Sequence, residues 1–105
     1  MAQFDYYANT DKDTNKTYPY IVDVQDGLLN ELNSRVVIPL TALTNLEKSY
    51  PKNLCPKIII EANEYVLLTH QMSSISRRDL SNYEGSLTHN RDEIIAAIDF
   101  LITGI

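Results

Sequence analysis

The sequence is short of the residues that most protein chemistry needs. Its three glycines, Gly27, Gly85 and Gly104, stand too far apart to build a phosphate-cradling loop. Its one cysteine, Cys55, cannot close an intramolecular disulfide; set between Leu54 and Pro56 it reads as core filler, in keeping with a reducing compartment. The two histidines, His70 and His89, match no HExxH spacing and with Cys55 make a poor metal set, so no cofactor is expected. Basic charge is scarce too. Against 14 Asp and Glu stand 9 Lys and Arg, and a net charge of −5 excludes a broad cationic face for nucleic acid. No apolar run approaches the roughly 20 residues that span a bilayer. The opening residues, Met-Ala-Gln-Phe-Asp, lack the basic and apolar parts of a signal peptide. A soluble cytoplasmic protein with no membrane partner is expected, and a non-catalytic one.

What remains is an ordinary globular composition, 44% apolar and 22% charged, in one expected domain over residues 1–105. Short β-rich segments fill most of it. Residues 3–8 and 17–24 (TYPYIVDV) have strand composition and form an expected hairpin around a polar loop, residues 9–16 (NTDKDTNK). Tyr20, Val22 and Val24 share one face. Residues 35–40 (RVVIPL) form another strand, in which Pro39 removes a ladder donor and so predicts an edge, a bulge or a strand end. Residues 41–49 are open between a short helix and extended chain, with Thr44 and Glu47 as a possible capping box. Two apolar runs, 57–61 (KIIIE) and 64–70 (EYVLLTH), flank Ala62-Asn63 as a hairpin at the sheet centre. Residues 71–80 can add a strand, and 81–87 read as a polar turn. Many short strands before one helix predict a small barrel-like or sandwich sheet with that helix packed on it.

The helix occupies residues 92–105. Asp92 and Glu93 suit its N-terminus, where Thr88 or Asn90 can cap. At about 100° per residue, Ile94, Ile98, Leu101 and Ile105 form one stripe that should be buried, with Ile95 and Ile102 as a second ridge and Asp99 and Thr103 opposite. So apolar a helix needs cover on more than one side. Either it packs on the sheet to its end, or its last turn is a contact surface. A second apolar oddity lies earlier. Leu28 and Leu29 are adjacent within the polar segment QDGLLNELNSR; either a short turn tucks both under the sheet, or one of them is left exposed.

Several strings go further. Gln3-Phe4, Val22-Asp23-Val24-Gln25 followed by Leu28-Leu29, Val37-Ile38-Pro39-Leu40, Met72-Ser73-Ser74 and residues 89–105 ending in Gly104-Ile105 resemble, in order and at near-constant spacing, the CcdB family of toxins from toxin–antitoxin modules. The resemblance implies a mainly β fold: a five-stranded SH3-like barrel with a small extra sheet and one C-terminal helix, shared with the MazF-like toxins. It implies a homodimer that binds the A subunit of DNA gyrase, traps the cleaved gyrase–DNA complex, and is neutralised by a CcdA-type antitoxin. Operator DNA would be met only through the antitoxin complex. The gyrase-binding positions carried over are Leu28, Leu29, Asp99, Ile102, Thr103, Gly104 and Ile105. At Thr103 the best-known member has Trp; Thr cannot stack on a cation, a loss on the order of 1–2 kcal/mol. Two other readings accompany this one. A messenger-RNA endoribonuclease of the same barrel would use His70 or Arg77-Arg78, and an inactive homologue would only titrate antitoxin.

Overall fold

A computed structural model describes residues 2–104. The chain runs through strands β1 (Asp5–Ala8), β2 (Tyr20–Asp23), β3 (Ser34–Ala42), β4 (Lys57–Ile60), β5 (Asn63–Leu67), β6 (Ser73–Ser76) and β7 (Tyr83–Ser86), then helix α1 (Arg91–Thr103). Six of the seven strands follow one another in an antiparallel, curled sheet in the order β4-β5-β3-β2-β1-β7, a half-barrel consistent with the SH3-like barrel that the resemblance implied. The small extra sheet takes the form of a branch: β6 pairs with Ser34 to Val37 of β3, on the edge that β5 takes from Leu40 onward.

That branch explains Pro39, which lies neither at an edge, at a bulge nor at a strand end. It sits inside the central strand, opposite Ile21 of β2. Its carbonyl accepts from the Leu68 amide at 3.0 Å, on the side where the partner of β3 changes from β6 to β5. The proline therefore falls in a gap between two ladders and removes no sheet hydrogen bond.

Apolar residues at alternate positions build the main core: Val22 and Val24, Ile38 and Leu40, Ile58 and Ile60, joined by Phe4, Leu67, Leu87 and Ile94. The opposite face is also covered, by Tyr7, Val37 and Leu80 at one end and by Cys55, Val66 and Leu68 at the other. A sheet buried on both faces has no reason to alternate, which is why RVVIPL and YVLL read as continuous apolar runs. Tyr6, Tyr20 and Tyr65 add an edge-to-face row, with ring centroids 5.4 and 5.3 Å apart.

Two segments differ from expectation, and the open choice at residues 41–49 is resolved. Residues 83–86 are strand β7, not a polar turn; Gly85 lets β7 lie against the Tyr6 ring, where a Cβ would meet Tyr6 Cε1 at 3.0 Å. The β4–β5 hairpin lies at one end of the sheet, not at its centre, because β3 takes the central place by pairing with β2, β5 and β6. It turns on Glu61 and Ala62, one residue earlier than Ala62-Asn63, with φ of 51° and 67°. Both residues occupy the left-handed region that a two-residue primed turn demands, at a cost of roughly 1 kcal/mol or more each. Residues 41–49 hold the end of β3 and one 3₁₀ turn, Leu43–Asn45, with no capping box. The loop between β1 and β2 is exposed, as expected, and ordered by Asn9, whose side chain donates to Thr14 Oγ1 and to the Tyr18 carbonyl.

Helix α1 packs through its first half only. Ile94 and Ala97 are buried, and Ile95 and Ile98 partly so. The expected stripe ends there: Leu101 is 36% exposed, and Ile105 lies outside the described residues. The helix continues past its cover, so its pattern promised more burial than the sheet supplies. Neither Thr88 nor Asn90 caps it through a side chain; the 3₁₀ turn Thr88–Asn90 leads into α1 directly.

Candidate functional site: two exposed apolar elements

The first element is a single 3₁₀ turn, Gly27–Leu29, between β2 and β3. Asp26 starts it, its carboxylate accepting from the Leu28 amide at 2.8 Å. Leu28 is 91% exposed and Leu29 49%, so the sheet does not tuck the pair away. Neither leucine belongs to a core cluster. Hydrophobic burial therefore does not hold this turn.

Polar contacts hold it instead. Asp23 and Arg35, both fully buried, pair bidentately, Nε donating to Oδ2 at 2.9 Å and Nη2 to Oδ1 at 3.0 Å. From there Arg35 reaches outward: Nη2 donates to the Gln25 carbonyl at 3.1 Å and Nη1 to Asn30 Oδ1 at 2.7 Å. Gln25 donates through Nε2 to the Leu29 carbonyl at 3.2 Å, while its Oε1 accepts from the Val36 amide. Burial holds the Asp23 carboxyl above its ordinary range, opposed only in part by the Arg35 hydrogen bonds and the Gln25 amide. The buried pair is thus the root of a network that ends on the backbone beside Leu28. Sequence reasoning missed it. Within TYPYIVDV nothing local marks Asp23 as buried, and Arg35 merely heads a strand.

The second element is the last turn of α1. Ile102 is 74% exposed, and Asp99 and Thr103 are exposed beside it. Thr103 folds back, its Oγ1 donating to the Asp99 carbonyl at 2.7 Å. Gly104 ends the helix at φ 74°, its amide bonded to the Phe100 carbonyl at 2.9 Å. A residue without Cβ adopts this left-handed closing turn freely. No hydrogen bond and no shared core cluster joins the two elements among the described residues.

Other residues singled out from the sequence are engaged separately. His70 Nδ1 lies 3.7 Å from Cys55 Sγ, and burial pushes the Cys55 thiol up, away from the thiolate that a nucleophile requires. Arg77 donates to the Asn30 carbonyl. Among the described residues no group of three or more His, Cys, Asp or Glu could hold a metal ion, and no helix is long and apolar enough to cross a membrane.

A comparison with protein families decides the assignment: the family model described as CcdB protein matches residues 3–104. The chain belongs to the CcdB family. Family membership makes it a toxin of the toxin–antitoxin type. The five quoted strings span nearly the same residues as the match.

Proposed function

We propose that this CcdB-family chain is a non-catalytic poison of DNA gyrase. As a homodimer of one-domain protomers in the cytoplasm, it binds the gyrase A subunit and holds the enzyme in its DNA-cleaved state. Trapping needs only differential affinity: a ligand that prefers one conformation of its target populates that conformation. A CcdA-type antitoxin would neutralise it, and operator DNA would be met through that complex alone.

One observation carries the reading. Leu28 and Ile102, the two most exposed large apolar side chains among the described residues, stand at positions to which the family resemblance assigns gyrase contact. Each would contribute about 1.5–3 kcal/mol on full burial. Leu29, Asp99, Thr103 and Gly104 flank them and complete the docking set with Ile105. In a two-fold dimer each element occurs twice, which doubles the apolar area offered to a two-fold target.

The test is a cleavage assay with purified protein, DNA gyrase, supercoiled plasmid and ATP, scoring linear DNA after the enzyme is denatured. Linear DNA should accumulate only when toxin and gyrase are both present. A variant lacking Thr103 to Ile105 should remain folded and dimeric yet produce none. Absence of linear DNA with the full chain, while a known gyrase poison works in parallel, would refute the proposal.

A further inference from the structure

The Leu28 turn is fastened from a distant part of the sequence. Arg77, in a 3₁₀ turn (Arg77–Asp79) that follows β6, donates through Nη1 to the Asn30 carbonyl at 2.8 Å. Its own amide donates to the Asn33 carbonyl, also at 2.8 Å. Both ends of this one residue thus close on the segment between the Leu28 turn and β3. Arg35 holds the Asn30 side chain from below, and Gln25 holds the Leu29 carbonyl. Three side chains from three parts of the chain converge on two consecutive residues, Leu29 and Asn30. Leu28 and Leu29 themselves contribute no core packing.

We infer that Arg77 is a positioning residue: it clamps the Leu28 turn in one conformation, so that docking does not first have to order it. This rests on the gyrase reading only for its consequence, because the clamp is a property of the free protein. Immobilising backbone at an interface opposes association, and a turn ordered beforehand avoids that penalty. A guanidinium-to-carbonyl hydrogen bond is charge-assisted and suited to the role. Arg77 is partly exposed, and the Asp23–Arg35 pair beneath does not involve it, so its loss should spare the fold.

The test uses the full-length chain with Arg77→Ala, Arg77→Lys, Leu28→Ala and the double variant Leu28→Ala/Arg77→Ala. Hydrogen exchange of the Leu29, Asn30 and Leu32 amides, each bonded within the turn, should quicken by about tenfold in Arg77→Ala. Sheet amides should not change. Arg77→Lys, which retains a donor, should recover part of the protection. In the cleavage assay Arg77→Ala should need roughly three- to tenfold more toxin, yet add nothing in the Leu28→Ala background, because a clamp acts only through what it presents. Unchanged exchange in Arg77→Ala overturns the clamp. Faster exchange with an additive effect in the double variant overturns its role in docking. If the wild-type chain does not poison gyrase at all, the functional proposal fails while the exchange data still judge the clamp.

Discussion

The molecule exposes two apolar elements and holds them by opposite means. The last turn of α1 extends a helix whose first half is anchored by Ile94 and Ala97; its order is inherited along the helix from the core. The Leu28 turn inherits nothing from apolar packing. Its order comes from a buried ion pair and the hydrogen bonds fanning out from it. The difference teaches that a surface meant to stay apolar and unburied can be stiffened only by something other than its own side chains. A helix supplies this along its axis, and a turn needs polar struts.

Removing one foundation at a time breaks the comparison most sharply. Arg35→Ala leaves the Asp23 carboxylate buried and unpaired, and should destabilise the protein by about 3–5 kcal/mol in denaturant titrations. Ile94→Ala attacks the other foundation by opening a cavity in the main core, at about 2–5 kcal/mol. Alkali tests the sheet. Burial, followed by the neighbouring Tyr65, pushes the Tyr20 hydroxyl from 10.0 up to about 12. A folded value above the unfolded one means that stability present below about pH 10 is lost as pH rises toward 12, and Tyr20→Phe should flatten that loss when denaturation midpoints are compared at about pH 9 and about pH 11. Glu61→Asn with Ala62→Gly supplies the residues that a primed turn favours and should raise stability by about 1 kcal/mol, seen as a higher melting temperature. The smallest stability effect belongs to the exposed side chains themselves. Leu28→Ala and Ile102→Ala should each stay within about 0.5 kcal/mol of wild type while weakening gyrase poisoning.

Much of the architecture was legible because periodicity and turn residues report locally. The β1–β2 hairpin, the apolar runs as strands and the terminal helix all follow from such signals, whereas the place of the β4–β5 hairpin at the end of the sheet, not its centre, does not. What escaped depends on partners distant in sequence. Pro39 looked like an edge residue because nothing local announces that β3 changes neighbours beside it. Residues 83–86 look like a turn because the segment is polar and holds Gly85, whereas that glycine makes room for Tyr6, far away in sequence. The helix stripe was read to its end because periodicity says which face is apolar, not where its cover stops. For the candidate site, Leu28, Leu29 and Ile102 were visible as apolar residues in awkward places. The Asp23–Arg35 network was not, because opposite charges far apart in sequence reveal a pair only once β2 and β3 align.

Strand β1 sits between β2, its neighbour in sequence, and β7, which enters the sheet only after every other strand. Phe4 repeats the pattern just before it, its amide bonded to the Asp23 carbonyl and its carbonyl to the Leu87 amide. The first of the seven strands to be synthesised therefore waits for the seventh before its second edge is sealed. Long-range closures of this kind slow folding and tie its completion to the synthesis of β7. A nascent chain that has not yet reached β7 therefore lacks both a finished sheet and the helix that follows it, and with that helix the exposed last turn that carries Ile102.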